Sequence, residues 1–215
     1  MTCLDLAVSH IDRAAVAQAD LIAVYVPMHT ATRLAAQFIP RLRSINPAAH
    51  LCAYGLYAPM NADYLRGLGV QTILGGEFEA GLTALYRRLA ASSRGAFLSD
   101  EAISTAPGTL TMTAAQPEPI ISLARQKFLT PDRSTLPRLG KYAYLEQGDG
   151  CQKLVGYTEA TRGCKHTCRH CPIVPVYGGQ FRVVGFEAVM ADIEQQINAG
   201  AGHITFGDPD FFNAP

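Results

Sequence analysis

Three cysteines in the last third of the chain stand at a spacing suited to a metal site. Cys164, Cys168 and Cys171 are separated by three and then two residues, so their sulfurs can converge on one small object. Three thiolates are one fewer than the four that fill a structural zinc site or a cubane iron–sulfur cluster. Such a site either takes a fourth ligand from elsewhere or leaves one metal position open for chemistry. Gly163 precedes the first cysteine and allows the backbone to wrap closely around a cluster.

Two other interpretations of these cysteines have to be weighed. A zinc ion completed by His166 or His170 would make a structural, non-catalytic module attached to an α/β domain. A disulfide with one spare thiol fits less well, because the N-terminus lacks the basic region and cleavage signal of an export peptide. The other three cysteines, at positions 3, 52 and 151, are scattered and are interpreted as buried packing residues or as surface residues without a role. The spacing alone leaves iron–sulfur and zinc chemistry open.

The residues around the cysteines resemble a known superfamily. Cys-x3-Cys-x2-Cys at the end of a predicted strand, followed by Pro172, is similar to the cluster loop of radical S-adenosylmethionine (radical SAM) enzymes. Within that superfamily, residues 157–179 and 204–213 resemble the CUAEP/CCAEP-tail radical SAM proteins, which carry a cobalamin-binding-type domain in front. The resemblance spans nearly the whole chain and is most specific around the cysteines.

The resemblance implies an enzyme and its cofactors. Cys164, Cys168 and Cys171 would hold a [4Fe–4S] cluster, and S-adenosylmethionine would occupy the fourth iron and be cleaved to a 5′-deoxyadenosyl radical. An electron donor for the cluster is therefore an expected partner. His170 stands where relatives carry an aromatic side chain near the adenine, and Pro172 completes the motif. A solvated polar residue is the alternative for His170.

The segment after the last predicted strand, Gly207-Asp-Pro-Asp210, stands where relatives carry a loop that touches the methionine amino group. That loop is often Gly-Gly-Glu in relatives, so the match is by place and acidity. Gly207, Asp208 and Asp210 are therefore candidate cofactor-binding residues. A simple strand-exit turn is the alternative.

The N-terminal part of the chain shows alternating strand and helix patterns. Continuous apolar runs indicate buried strands, and apolar residues at helical spacing follow most of them. This alternation predicts an α/β fold with a doubly wound parallel sheet. Strands are expected at 4–8, 20–27, 50–55 and 70–74, and helices at 11–19, 30–42, 61–69 and 78–89.

Ligands of such sheets bind beyond the carboxyl ends of the strands. The loops there supply five candidate cofactor-binding residues, which by the resemblance would contact cobalamin: Met28, His29, Gly55, Gly75 and Gly76. The chain contains no Asp-x-His-x-x-Gly, the element that gives cobalamin a lower axial histidine, and it opens on what resembles the second strand of such modules. The first strand–helix unit is therefore expected to be absent. For His29 an ordinary loop residue is the alternative, and for the paired glycines a strand-exit turn.

The C-terminal part predicts the start of a partial (β/α) barrel. A strand at 153–158, the cysteine loop, a helix with an apolar face from Phe186 to Ile197 and a strand at 203–206 form one complete unit. The expected domains are 1–92, cobalamin-binding-like, a proline-rich linker at 93–150, and the barrel start at 151–215. We expect a fragment that is short at both ends and inactive alone, and an inert gene fragment is a third hypothesis.

Composition bounds the partners. The 18 basic and 18 acidic side chains of the 215 residues cancel, which gives no global field for nucleic acid or an anionic membrane. No apolar run approaches the roughly 20 residues of a membrane span. The cysteine usage suits a reduced cytoplasm. The substrate is unknown from these residues.

Overall fold

A computed structural model describes residues 2–95 and 120–213 of this protein. The chain divides into two compact units. The first, here called the sheet unit, comprises residues 16–124. The second, here called the cysteine unit, comprises residues 1–15 and 125–215. In the described ranges, no helix combines the length and the apolar character that crossing a membrane requires.

The sheet unit contains four parallel strands in the order β1-β2-β3-β4. The strands are β1 (Leu21–Tyr25), β2 (His50–Tyr54), β3 (Thr72–Gly76) and β4 (Ile120–Ser122). The helices are α1 (Arg13–Ala17), α2 (His29–Ile45), α3 (Ala62–Gly67) and α4 (Glu79–Gly95). The first residues of α1 belong to the cysteine unit. A short 3₁₀ helix at Pro59–Asn61 leads into α3. The predicted α/β fold with a parallel sheet is confirmed.

Helices cover both faces of this sheet. Along β2, Leu51 and Ala53 belong to one apolar cluster and Cys52 to another, because successive side chains of a strand point to opposite faces. Residues of α2 and α3 join the first cluster, and residues of α4 join the second. The sheet is therefore doubly wound, as the sequence predicted.

Two expectations about the N-terminal half are wrong. Residues 4–8 form a turn instead of a strand, because the Asp5 carboxylate accepts a hydrogen bond from the Ala7 amide at 3.0 Å and closes the chain locally. The fourth strand is instead β4, which lies in the segment predicted as a linker.

The cysteine unit is built on a parallel pair of strands. β6 (Gln152–Thr158) pairs in parallel with β9 (His203–Phe206), and α6 (Phe186–Asn198) lies between them in sequence. This is the strand, loop, helix and strand expected for the first unit of a (β/α) barrel. A strand β5 (Tyr144–Glu146) adds antiparallel to β6, and β7 (Thr161–Gly163) with β8 (Phe181–Val183) forms a hairpin around a short helix α5 (Val174–Tyr177).

Helix α6 buries only part of the apolar face that the sequence predicted, and polar residues are buried beside it. Phe186 and Ile197 are 73% and 54% exposed, whereas Val189, Asp192 and Gln196 are buried. The buried positions have helical spacing, but two of the three carry polar side chains. These polar groups are buried because they are hydrogen-bonded to β6: the Thr158 hydroxyl donates to Asp192 at 2.8 Å, and the Tyr157 amide donates to Gln196 at 2.8 Å.

The carboxyl group of Asp192 is held in its charged form. Burial by itself raises the pKa of this group, but the hydrogen bonds and charge of Arg133, with hydrogen bonds from Thr158 and Gln195, more than offset it and lower the pKa below the ordinary value. A carboxyl group with a lowered pKa binds its proton more weakly in the folded state than in the unfolded state. Folding stability from Asp192 is therefore present above the unfolded pKa of about 3.9 and is lost as the pH falls through the lowered folded value.

We predict that the free energy of unfolding of the cysteine unit falls as the pH is lowered below about 4, and that Asp192→Asn makes this fall shallower while lowering stability at pH 7. Urea unfolding at a series of pH values measures both effects. The exposed carboxyl of Asp63 in the sheet unit provides the control, since Asp63→Asn is expected to leave the pH profile unchanged. An equally steep acid fall in Asp192→Asn would contradict the assignment.

Candidate metal centre

The cysteine loop, residues 164–171, is fixed at both ends by regular structure. Cys164 directly follows β7, which pairs with β8, and α5 begins three residues after Cys171. Inside the loop, the Cys171 amide donates to the Cys168 carbonyl at 3.2 Å. The β7–β8 hairpin and α5 therefore set where the loop starts and where it ends.

Gly163 makes the start of the loop possible. Its φ of +75° lies in the left-handed region, and an added Cβ would stand 2.3 Å from the Gln180 carbonyl and 2.7 Å from the Tyr177 ring. The sequence predicted that this glycine allows a close wrap around a cluster. The close neighbours in the structure are the backbone and side chain of the hairpin itself.

The three thiols differ in exposure. Cys164 and Cys171 are half-buried, and Cys168 is exposed. The Cys164 thiol donates to Oδ2 of Asp210 at 3.1 Å and accepts from the His166 amide at 3.4 Å. Burial, and then the hydrogen bond and charge of Asp210 and the charge of Cys171, raise the pKa of Cys164, against a lowering contribution from the His166 amide.

Between residues 2–95 and 120–213, no three His, Cys, Asp or Glu side chains are grouped so that they could hold a metal ion. His166 approaches Asp210, with 3.9 Å between Nε2 and Oδ2, and His170 is exposed. In a [4Fe–4S] cluster each cysteine would bind a different iron, so the three sulfurs need not lie as close together as the ligands of a single ion.

The donor set suits an iron–sulfur cluster in its chemistry. Three thiols lie on one short loop, two of them half-buried and the third open to solvent. Pro172 follows them half-buried before α5. As cofactor contacts, His170 and Pro172 stay predictions.

The segment after β9 lies against the start of the cysteine loop. Asp210 is buried and its carboxylate contacts Cys164, as described above. Both carboxylate oxygens of Asp208 accept the Ala160 amide, at 3.0 and 3.1 Å, and Oδ1 also accepts the Thr161 hydroxyl. Asp208 therefore ties the connection between β6 and β7 to the end of β9.

Gly207 sits between these acids and β6. Its amide donates to the Thr158 carbonyl at 2.9 Å, and an added Cβ would overlap the Tyr157 hydroxyl at 1.7 Å. The Tyr157 hydroxyl in turn donates to Glu159 at 3.0 Å. Gly207 thus makes room for a tyrosine that the sequence did not single out.

In the sheet unit, the predicted residues lie at the carboxyl ends of the strands. Met28 and His29 are exposed at the start of α2, and Gly55 directly follows β2. Gly75 and Gly76 are the last residues of β3 and are buried. The structure gives these two glycines a packing role: a Cβ at Gly75 would stand 2.2 Å from the Pro59 ring, and one at Gly76 2.2 Å from the Ser122 carbonyl.

Three aromatic residues at the same edge were missed by sequence reasoning. The Tyr25 and Tyr54 rings have centroids 5.1 Å apart, and Phe78 stands 5.9 Å from Tyr25 and 4.9 Å from Tyr54. Tyr25 and Tyr54 are the last residues of β1 and β2, and Phe78 directly precedes α4. The signal available in the sequence was an aromatic residue at each of these boundaries, which only the strand order brings together.

Known proteins resemble this chain in sequence and in fold. No family model matches this chain. Hopanoid C-3 methylase from Methylococcus capsulatus is 30% identical over 133 residues, which cover 62% of this chain and 23% of that protein. This chain thus spans about a quarter of the length of the curated relative it matches.

Among solved structures, the radical S-adenosylmethionine methyltransferase TsrM from Kitasatospora setae shares the fold. The structure of TsrM with tryptophan substrate and a SAM analogue bound matches with a TM-score of 0.60 at 18% identity, over 91% of this chain and 38% of that chain. The structure with cobalamin and a [4Fe-4S] cluster bound matches with a TM-score of 0.58 at 16% identity, over 92% of this chain and 39% of that chain.

These comparisons relate the chain to a methylase over part of its sequence and, in fold, to a radical SAM methyltransferase. The finer assignment to the CUAEP/CCAEP-tail group is not supported by them and stays a sequence-based prediction. The fold itself, an α/β fold with a parallel sheet followed by the start of a second unit, is shared with the TsrM structures over the length of this chain.

We predict that Gly163→Ala destabilises the cysteine unit by more than about 2 kcal/mol, since the left-handed backbone alone costs roughly 1–2 kcal/mol and the overlap with the Gln180 carbonyl adds to it. Gly178→Ala is the matched control. Gly178 also has a positive φ, of +56°, but no atom lies within 4 Å of its added Cβ, so only the backbone cost is expected. Urea unfolding of both variants measures the difference, and equal losses would show that the Gln180 contact does not matter.

Proposed function

We propose that this chain is part of a cobalamin-associated radical SAM enzyme in which Cys164, Cys168 and Cys171 bind a [4Fe–4S] cluster. The observation that carries the proposal is the position of the three cysteines. They share one loop that follows the carboxyl end of β6, and β6 pairs in parallel with β9. Functional groups of β/α folds gather at that end of the strands. The similarity to hopanoid C-3 methylase and to TsrM favours methyl transfer as the reaction of the whole protein.

Three thiolates leave one iron of such a cluster without a protein ligand, and S-adenosylmethionine would take that position through its amino and carboxylate groups. Once reduced by a one-electron donor, a cluster held by these cysteines would supply the electron for reductive cleavage of S-adenosylmethionine. The protein's part is to orient the cofactors and to exclude water.

The two acids after β9 have different roles in this proposal. Asp208 accepts three hydrogen bonds from the connection between β6 and β7, so it holds the segment that precedes the cysteine loop. Asp210 is buried beside Cys164 and is the better acceptor for the methionine ammonium group. Gly207 precedes both acids and leaves room for the Tyr157 ring. His170, exposed within the cysteine loop, and Pro172 would lie near the adenine.

Cobalamin would bind at the carboxyl edge of the parallel sheet in the sheet unit. Met28, His29 and Gly55 lie in loops at that edge, and Gly75 and Gly76 bring the backbone of β3 to it. The half-exposed Tyr25 ring, backed by Tyr54 and Phe78, offers a flat apolar surface to a planar macrocycle.

A one-electron donor is the partner that this chemistry requires. A thiolate-bound cluster also needs reduced cysteines, which places the proposed site in the reducing cytoplasm. The six cysteines of the chain are free in the structure.

We predict that anaerobic incubation with iron and sulfide gives a brown protein whose visible absorbance bleaches with dithionite. Cys168→Ala is expected to abolish the colour, because two thiolates are too few to retain the cluster. Cys151→Ala, which removes another exposed cysteine outside the loop, is the matched control and should load like the unaltered chain.

Absorption spectra with iron and zinc analysis of each sample decide the matter. A colourless protein with tightly held zinc and no iron would contradict the proposal and favour the zinc module. Iron retained equally by Cys168→Ala would show that the metal lies elsewhere.

We further predict that the chain retains cobalamin through gel filtration and that Tyr25→Ala weakens binding by about threefold to tenfold, the equivalent of the roughly 0.5–1.5 kcal/mol of an aromatic contact. Tyr86→Ala, which removes an exposed tyrosine from α4, is the control. Titration of the corrin absorbance gives both affinities. Identical affinities for the two variants would remove Tyr25 from the proposed site.

A further inference from the structure

Segment 125–136 belongs to the region that the sequence predicted as a linker, yet it makes specific contacts within the cysteine unit. The Arg162 guanidinium lies over the Phe128 ring, with 4.9 Å from Cζ to the centroid. The Gln195 amide donates to the Pro131 carbonyl at 2.8 Å. Since the segment contains no helix or strand, side-chain contacts of this kind fix its path.

Arg133 makes the strongest of these contacts. Its Nε and one terminal nitrogen donate to the two oxygens of Asp192, at 2.7 and 2.8 Å, and the same terminal nitrogen donates to the Tyr157 carbonyl at 2.8 Å. The Asp192 side chain is only 2% exposed. This is a two-pronged ion pair in a buried setting, where its geometry is most restrictive.

Asp192 and Gln196 connect Arg133 to the end of β6 through hydrogen bonds. Asp192 accepts the hydroxyl of Thr158, the last residue of the strand. Gln196 binds both backbone groups of Tyr157, accepting the amide at 2.8 Å and donating to the carbonyl at 3.1 Å. Gly156 leaves the space for this approach, because a Cβ there would stand 2.7 Å from the Gln196 oxygen.

We propose that Arg133 is a positioning residue for the cysteine loop. It connects segment 125–136 to a buried polar network whose other members are Thr158, Asp192, Gln195 and Gln196. Through this network the segment fixes the direction in which the chain leaves β6 toward the loop. Only five residues separate Thr158 from Cys164. The inference rests on the proposed function, since it concerns the same three cysteines.

The choice of polar groups supports positioning over simple stability. A buried ion pair contributes little stability compared with apolar side chains of the same size, so an apolar α6 face would stabilise the unit at least as well. Hydrogen bonds, unlike apolar contacts, fix both distance and direction. Asp208 adds a second restraint just beyond, on Ala160 and Thr161. The strand exit is therefore restrained by side chains from two elements.

A test that needs no metal uses hydrogen exchange of the full 215-residue chain. Arg133→Met removes the hydrogen-bond donors and keeps the length of the side chain. Arg138→Met, which removes an exposed arginine a few residues further along the same chain, is the control. In Arg133→Met the amides of residues 159–164 should exchange at least about tenfold faster than in the control, while those of β2 are unchanged. Unchanged exchange at 159–164, or an equal increase throughout β6, α6 and β9, would overturn the inference.

A second test uses the iron-loaded chain. Outer contacts of metal ligands typically change metal affinity by about 10- to 100-fold, so we expect Arg133→Met to release iron to a chelator roughly tenfold faster and to alter the electron paramagnetic resonance spectrum of the reduced cluster. Arg133→Lys restores the charge without the fork and should fall between. A loaded Arg133→Met protein with the unaltered spectrum and release rate would overturn the inference and leave the proposed function standing.

If the unaltered chain takes up no cluster, the proposed function fails, and with it the role of Arg133 toward cysteine ligands. If Arg133→Met does not fold, Thr158→Val serves instead, because it removes one hydroxyl of the network and keeps the shape of the side chain. Faster exchange at 159–164 in Thr158→Val supports the inference, and wild-type exchange there overturns it.

Discussion

The buried carboxylate of Asp192 is the constraint on which the cysteine unit depends. A charge this far from water needs partners in fixed positions, and Arg133, Thr158 and Gln195 provide them. One partner lies on an irregular segment, one at the end of β6 and one on α6 itself. Satisfying a single charge therefore fixes how three parts of the unit meet, at a strand end six residues before Cys164.

Hydrogen bonds of carboxylates also hold the candidate site in place. Asp208 holds the connection between β6 and β7, and Asp210 meets Cys164, so of these two acids it is Asp210 that contacts the cysteine loop itself. Residues that look like one acidic motif in sequence therefore have separate tasks. The first has its hydrogen bonds used within the protein, and the second lies beside a proposed cluster ligand.

Much of the fold could be predicted from local pattern. The strands near positions 21, 50, 152 and 203 and the main helices follow from apolar periodicity, because each element has its own signal. Pattern failed where polar contacts decided. Residues 4–8 look apolar enough for a strand, but the Asp5 turn prevents it. The apolar stripe of α6 predicted the buried Val189 but not the buried Asp192 and Gln196, which are stabilised by partners up to 59 residues away.

The sequence by itself determined the chemistry of the candidate site: three thiols at close spacing, a glycine before them and acids after the next strand, all of which are local facts of residue type and order. Only the tertiary structure decided which of those acids meets a cysteine, that a presumed linker supplies Arg133, and that Tyr25, Tyr54 and Phe78 form one aromatic surface. The reason is physical. Apolar periodicity is written within each element, whereas a hydrogen bond or ring contact between distant residues exists only once the chain has brought its partners to within a few ångströms.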